Sequence, residues 1–291
     1  MARTPVASTK VERIERQRRE QTSDLVAVEE PLQIILEHGD AHARSETPLA
    51  MTMRTPGHDR DLVTGFLYAE GVIAKVDHLI SVRHCVRSDT PDNVVRAVLQ
   101  EGLPVPSRLL ERNLTVTSAC GICGERTVES LSKEGCERVP IEEDAFHPEV
   151  IRRALASLEE SQVWFRHTGG THGAAFFDET GSLLLHREDV GRHNALDKLI
   201  GASLRGAATS SPGFIVVSSR ASFELVQKTV RAGLPMMVAI GAASSLAVET
   251  ARRFDLTLVG FARESRFNVY SGSERISLEA NEPAFVQVEV G

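Results

Sequence analysis

The chain has 291 residues, 42% hydrophobic and 25% charged, with a net charge of −7. That composition excludes bulk disorder, collagen-like repeats and small disulfide scaffolds, and the acidic balance speaks against a general nucleic-acid partner. No apolar run approaches the ~18 residues a bilayer span requires, and none follows Met1 as a secretory leader would, so a cytoplasmic protein with no membrane span is expected.

Residues 1–22 are polar, with charges mixed through Lys10–Glu20, and read as a disordered tail. From Asp24 the pattern turns β-rich. Leu25–Val28 and Leu32–Leu36 read as paired strands joined by a Glu-Glu-Pro turn, and Leu49–Met53 continues the sheet. Thr55-Pro-Gly-His-Asp59 punctuates a turn, with Asp59 placed to cap a helix carrying Leu62, Phe66 and Leu67 on one face. Further strands are expected over 79–86, 93–99 and 113–118. After about residue 145 the rhythm becomes α/β. Helices are predicted at Pro148–Leu158, His193–Ile200, Ser222–Arg231 and Ser244–Arg253. Strands are predicted at 173–177, 182–186, Phe214–Ser218, Met236–Ile240 and Leu256–Val259. In the helix after Ser222, Phe223, Val226 and Val230 point inward, and Glu224 with Lys228 forms an exposed i,i+4 pair. The division expected is a tail (1–22), a β-rich part (23–140) and an α/β part (141–291), with sites at strand C-terminal ends.

Four cysteines are present: Cys85, Cys120, Cys123 and Cys136. The strongest chemical signal is Thr117-Ser-Ala-Cys120-Gly-Ile-Cys123-Gly124. Two thiols flanked by glycines suit dithiol redox, half a zinc site or sulfur relay through a persulfide, and spacing alone separates none of these. No second Cys-x-x-Cys completes a zinc site. His186-Arg-Glu188 resembles the His-x-Glu of zinc deaminases, but the cysteine pair lies upstream of it and lacks the preceding proline. The run His186–Lys198 is dense in charge. Asp189 or Asn194 can cap the following helix, His193 and Asp197 share a helical face, and Arg192 can meet an anion. Gly169 and Gly170 form a turn that can bring backbone N–H groups to a ligand. Arg220 stands where a strand becomes a helix. The loop Phe261, Ala262, Arg263, Glu264, Ser265, Arg266 offers an aromatic face and guanidinium groups.

Taken together, these segments resemble the FdhD family, the formate dehydrogenase accessory sulfurtransferases. The resemblance rests on Arg54-Thr-Pro-Gly57, the Ser118–Gly124 loop, Thr168-Gly-Gly170, Glu188–Asn194, Ser219-Arg-Ala-Ser222, Val226-Gln-Lys228 and Gly260–Tyr270, across about residues 25–271. It implies a cytidine-deaminase-like mixed sheet with flanking helices in the C-terminal part, preceded by a smaller β-rich subdomain. It also implies sulfur transfer from a cysteine desulfurase to the molybdenum of bis-molybdopterin guanine dinucleotide, for formate dehydrogenase. Cys120 then maps to the persulfide carrier, with Cys123 beside it, and the cofactor binds transiently over Phe261–Arg266, Gly169, Gly170 and Arg220. No resident cofactor or metal is expected, and the assembly expected is a homodimer. A cofactor chaperone without sulfur chemistry and a zinc-dependent deaminase are the alternatives.

Overall fold

The structure is a computed structural model that describes residues 4–85, 91–110, 116–117, 136–138, 140, 145–208 and 213–278. Three sheets organise it.

The first is a hairpin of β1 (Val6–Glu15) and β2 (Arg18–Ala27), joined by a two-residue turn with Arg16 at φ 53°. This corrects the expectation of a disordered tail over 1–22. The two strands lack an apolar face, so hydrophobic patterning does not reveal them. They are held by ladder hydrogen bonds, and Val28 N–H donates to Pro5 O at 2.9 Å to close the base. It also corrects the pairing of Leu25–Val28 with Leu32–Leu36, because β2 pairs with β1 and not with the following strand.

The second sheet has five strands: β3 (Glu30–Asp40), β4 (Ala43–Arg54), β5 (Leu79–His84), β6 (Val94–Leu99) and the short β7 (Val116–Thr117), in the order β5-β6-β3-β4-β7. Alternating Leu32, Ile34 and Leu36 face helix α1 (Asp59–Ala69), which buries Leu62 and Leu67. A one-turn helix, α2 (Ser107–Leu110), follows β6.

The third sheet has six strands: β8 (His172–Phe177), β9 (Leu183–Asp189), β10 (Phe214–Val217), β11 (Met236–Ala239), β12 (Thr257–Gly260) and β13 (Asn268–Ser271), in the order β13-β12-β11-β10-β8-β9. β10, β11 and β12 run parallel and β8, β9 and β13 antiparallel to their neighbours, so the sheet is mixed. Phe-Ile-Val-Val and Met-Met-Val-Ala read as unbroken apolar runs because both faces are covered. Helices α5 (Arg192–Leu204), α6 (Phe223–Arg231) and α7 (Ser245–Arg253) cover one face, and α3 (Pro148–Ser161) the other. A short α4 (Val163–Thr168) follows α3.

The boundary expected at residue 140 falls late. Cys136 is buried among Leu196, Leu199 and Val226 of the C-terminal core, and Arg275 donates to Pro140 O at 2.7 Å. The boundary at 22/23 cuts β2.

Helices α1 and α5 cross at backbone contact. A Cβ at Gly65 would stand 1.9 Å from Asp197 O, and one at Gly201 would stand 1.9 Å from Asp61 O. Each helix thus places a glycine under the other's carbonyl, so the two subdomains pack closer than any side chain permits. Among the described residues no helix is long and apolar enough to cross a membrane.

Candidate functional site

The charged run 186–198 is mostly a buried anchor and only partly a surface. Lys198 Nζ lies 2.6 Å from Asp189 Oδ2, with both side chains fully buried, and donates to Thr55 O at 2.8 Å. Asp189 also accepts from Thr55 N (3.1 Å), Gly191 N (2.8 Å) and Asn194 Nδ2 (3.2 Å). Asn194 Nδ2 donates to Met53 O at 2.7 Å, and Thr52 Oγ1 donates to Asn194 Oδ1 at 3.1 Å. So the end of β4 and the start of α5 are bound by one polar knot between the subdomains. The helix cap is Gly191, and neither Asp189 nor Asn194 takes that position. Arg54 is likewise internal, pairing with Asp59 at 2.9 and 3.0 Å. The turn after it lines an open cavity of about 460 Å³ with His58, His84 and Arg205.

His193, on the same helical face as Asp197, has its Nε2 3.4 Å from Ser222 Oγ and 3.7 Å from Glu224. One further expectation in this region changes. Lys228 is not exposed beside Glu224. It reaches inward to Asp197 at 2.5 Å, where burial pushes the carboxyl up and Lys228 pulls it down. The His-x-Glu pair is also committed elsewhere. Glu188 accepts from Trp164 N (2.9 Å), Phe165 N (2.8 Å) and Thr171 Oγ1 (2.7 Å) at the start of α4. Burial alone would raise Glu188, but these bonds and His186 outweigh it and hold the carboxyl below its usual range. A Glu used in this way is poorly placed to shuttle protons.

The pairing of His193 with Glu224 has a pH signature. The His193 imidazole beside it outweighs partial burial and holds the Glu224 carboxyl at about 2 instead of 4.5. A carboxyl lowered on folding adds stability that is full above 4.5 and is lost as pH falls towards 2. The Glu224 side chain is 24% exposed, so solvent screening trims the effect. The gap in urea midpoint between wild type and Glu224→Gln should therefore narrow as pH drops from about 6 to about 3. A gap that stays constant overturns the assignment.

At the C-terminal ends of β10, β11 and β12 the chain leaves the sheet in three loops that pack on one another. Ala221 N donates to Ala242 O (2.9 Å), Gly241 N to Ser219 O (3.0 Å) and Phe261 N to Gly241 O (2.9 Å). A Cβ at Gly241 would stand 2.9 Å from the Arg220 backbone, so the loops after β10 and β11 fit only around a glycine. β8 starts at the same end: Gly173 N donates to Ser218 Oγ and Ser218 N to Gly173 O, both at 2.9 Å. The fold thus brings Gly169, Gly170, Arg220 and Phe261–Arg266 to one end of one sheet.

Within that group the roles differ. Phe261 is 46% exposed with φ 50°, a conformation unusual for an aromatic residue. Ala262 is buried, and Glu264, Ser265 and Arg266 are exposed. Arg263 donates to Ile240 O and Ala262 O, both at 2.7 Å, and so clamps the loop. The amides of Phe261, Ala262 and Arg263 already have carbonyl partners. Phosphate binding here rests on guanidinium groups, not on those amides. Gly169 ends α4 at φ 62°, and Gly170 packs against Ala27, where a Cβ would stand 3.1 Å from the alanine's own. Sequence reasoning passed over His172, at the start of β8. Burial, Arg192 and His193 hold its imidazole below the usual value against Asp189. The signal was the Gly-flanked Thr-His pair before an apolar strand. Cys120 and Cys123 lie outside the described residues. Among the described residues no cluster of three or more His, Cys, Asp or Glu is arranged to hold a metal.

The model of the FdhD/NarQ family matches residues 27–277. The chain is 43% identical to a sulfur carrier protein FdhD of Streptomyces coelicolor over 265 residues, covering 88% of this chain and 90% of the relative. It is 44% identical to the protein of the same name from Corynebacterium efficiens over 261 residues, covering 86% and 90%. The crystal structure of a candidate formate dehydrogenase accessory protein from Desulfotalea psychrophila superposes with a TM-score of 0.72 at 24% identity, covering 94% of this chain and 100% of that one, and shares the fold.

Proposed function

The chain belongs to the FdhD/NarQ family, and on that premise we propose that it is a sulfur carrier for formate dehydrogenase maturation. A cysteine desulfurase loads Cys120 as a persulfide, and the sulfur passes to the molybdenum of bis-molybdopterin guanine dinucleotide, which is the substrate of the transfer. The observation that carries this reading is a Gly-flanked Cys-x-x-Cys in a chain 43% identical to a protein named as a sulfur carrier. A thiol in a glycine-rich loop can swing between donor and acceptor, and a thiolate is the nucleophile that accepts sulfur.

The strand-end loops supply a place for the dinucleotide. Phe261 offers a face to a guanine ring, while Arg220 and Arg266 offer guanidinium groups to phosphates. We read the mixed six-stranded sheet with helices on both faces as a cytidine-deaminase-like architecture whose catalytic Glu has been turned to structural use. The partners are a cysteine desulfurase and a formate dehydrogenase.

The test is intact mass after incubation with a cysteine desulfurase and cysteine. Wild type should gain one sulfur atom, removed by thiols and mapped to Cys120. Cys120→Ser should lose both loading and formate dehydrogenase activation, with Cys123→Ser less affected. Arg266→Ala should load sulfur normally yet bind GDP about tenfold more weakly, as loss of one charged hydrogen bond implies. Normal activation by Cys120→Ser would overturn sulfur carriage and leave the chaperone reading. Unchanged GDP affinity would move the cofactor site.

A further inference from the structure

Three basic side chains meet where β9 gives way to α5. His172 opens β8 and stands opposite Asp189 in the β8–β9 ladder. Arg192 and His193 begin α5, just beyond Asp189. The acidic groups around them are engaged. Asp189 pairs with Lys198 at 2.6 Å, Glu188 accepts from the start of α4, and Asp197 holds Lys228. Glu224, at the start of α6, faces His193 Nε2 at 3.7 Å. Among the described residues, neither the Arg192 guanidinium nor the His172 imidazole makes a hydrogen bond or an ion pair, and Arg192 Nε is buried without an acceptor. A buried donor left unanswered costs free energy, and a second basic group beside it adds repulsion. His172 registers that repulsion. Burial, then Arg192 and His193, hold its imidazole below the usual value, and Asp189 offsets them only in part. The first amides of α5 add to the surplus, since no side chain caps them.

We propose that Arg192, His172 and His193 form an oxyanion site, built for a doubly charged group such as a phosphate or an oxo-metal dianion. Arg192 supplies the guanidinium fork, which suits paired oxygens. His193 is steadied through Nε2 by Ser222 at 3.4 Å and by Glu224, which leaves its Nδ1 for the ligand. His172 is the group that responds. It is neutral at pH 7 beside Arg192, and an anion that offsets Arg192 brings a proton with it. β8 starts at the same sheet end as the loops that carry Arg220 and Phe261–Arg266. The source of the oxyanion therefore rests on the cofactor reading above: a phosphate of the dinucleotide, or its oxo-metal end. The site itself stands without that reading.

The experiment follows the imidazole C2–H resonances of the full chain by NMR, with His172→Gln marking its own signal. Sodium molybdate and GDP are titrated separately at fixed ionic strength. With at least one of them His172 should titrate about one pH unit higher, because the bound anion cancels the field of Arg192. Arg192→Ala should weaken that anion about tenfold, and Arg192→Lys, which keeps the charge but loses the fork, should fall between. Molybdate that GDP displaces assigns the site to a nucleotide phosphate. Molybdate that stays bound beside GDP assigns it to the oxo-metal end. A wild type that binds molybdate but not GDP removes the dinucleotide from the strand-end loops and leaves this site in place. A His172 resonance that moves with neither anion overturns the proposal, as does equal affinity in wild type and Arg192→Ala.

Discussion

Lys198→Met is expected to destabilise the protein by about 3–5 kcal/mol, the cost of breaking a buried ion pair from one side. Asp189, 0% exposed, would be left with no cation beside it, and Thr55 O would lose its 2.8 Å donor. Urea unfolding at neutral pH measures the change. The double variant Lys198→Met/Asp189→Leu should not recover fully, because Asp189 also accepts from Thr55 N, Gly191 N and Asn194. A loss under about 1 kcal/mol would mean that water reaches the pair.

Gly201→Ala and Gly65→Ala should each destabilise by about 2 kcal/mol or more. Two effects of opposite sign compete. Alanine in a helix interior gains about 1 kcal/mol over glycine. Against that, a Cβ 1.9 Å from a backbone carbonyl oxygen forces two helices apart, and overpacking typically costs about 1–3 kcal/mol, more when backbone must move. The steric term wins because the obstructing atoms are backbone and cannot rotate away. Thermal unfolding of the two variants checks this, and a rise in Tm would show that α1 and α5 separate without cost.

These two sites show what the sequence made legible and what it hid. The β10, β11 and β12 strands and the helices between them were readable because apolar runs alternate with helical periodicity. The strand-end cluster followed from that order alone, since parallel strands put successive loops at one end. Lys228 was misread because Glu224 stands four residues before it, which is also the pattern of a solvated pair. Its true partner, Asp197, lies on another helix, 31 residues away. A signal did exist. From Asn194 to Ala202 every residue is buried, and apolar side chains surround Asp197 and Lys198 on all sides. A helix apolar all round leaves its charges no route to water, so they need partners inside. The hairpin was hidden for the opposite reason. Its strands carry charges on both faces, and its register comes from main-chain ladders that side-chain patterning does not report.

The polar knot joins atoms far apart along the chain. Thr55 meets its partners 134 and 143 residues later, and Asn194 reaches back 141 residues to Met53. Closing so long a loop costs entropy that only the finished contacts return. During synthesis the N-terminal sheet therefore emerges with the amide and carbonyl of Thr55 unanswered, and they stay so until α5 has left the ribosome. The N-terminal half thus waits in a wetter, looser form for its second half. A nascent chain arrested before residue 189 should be cut readily by protease near Arg54–Asp59, and one released beyond Leu204 should resist.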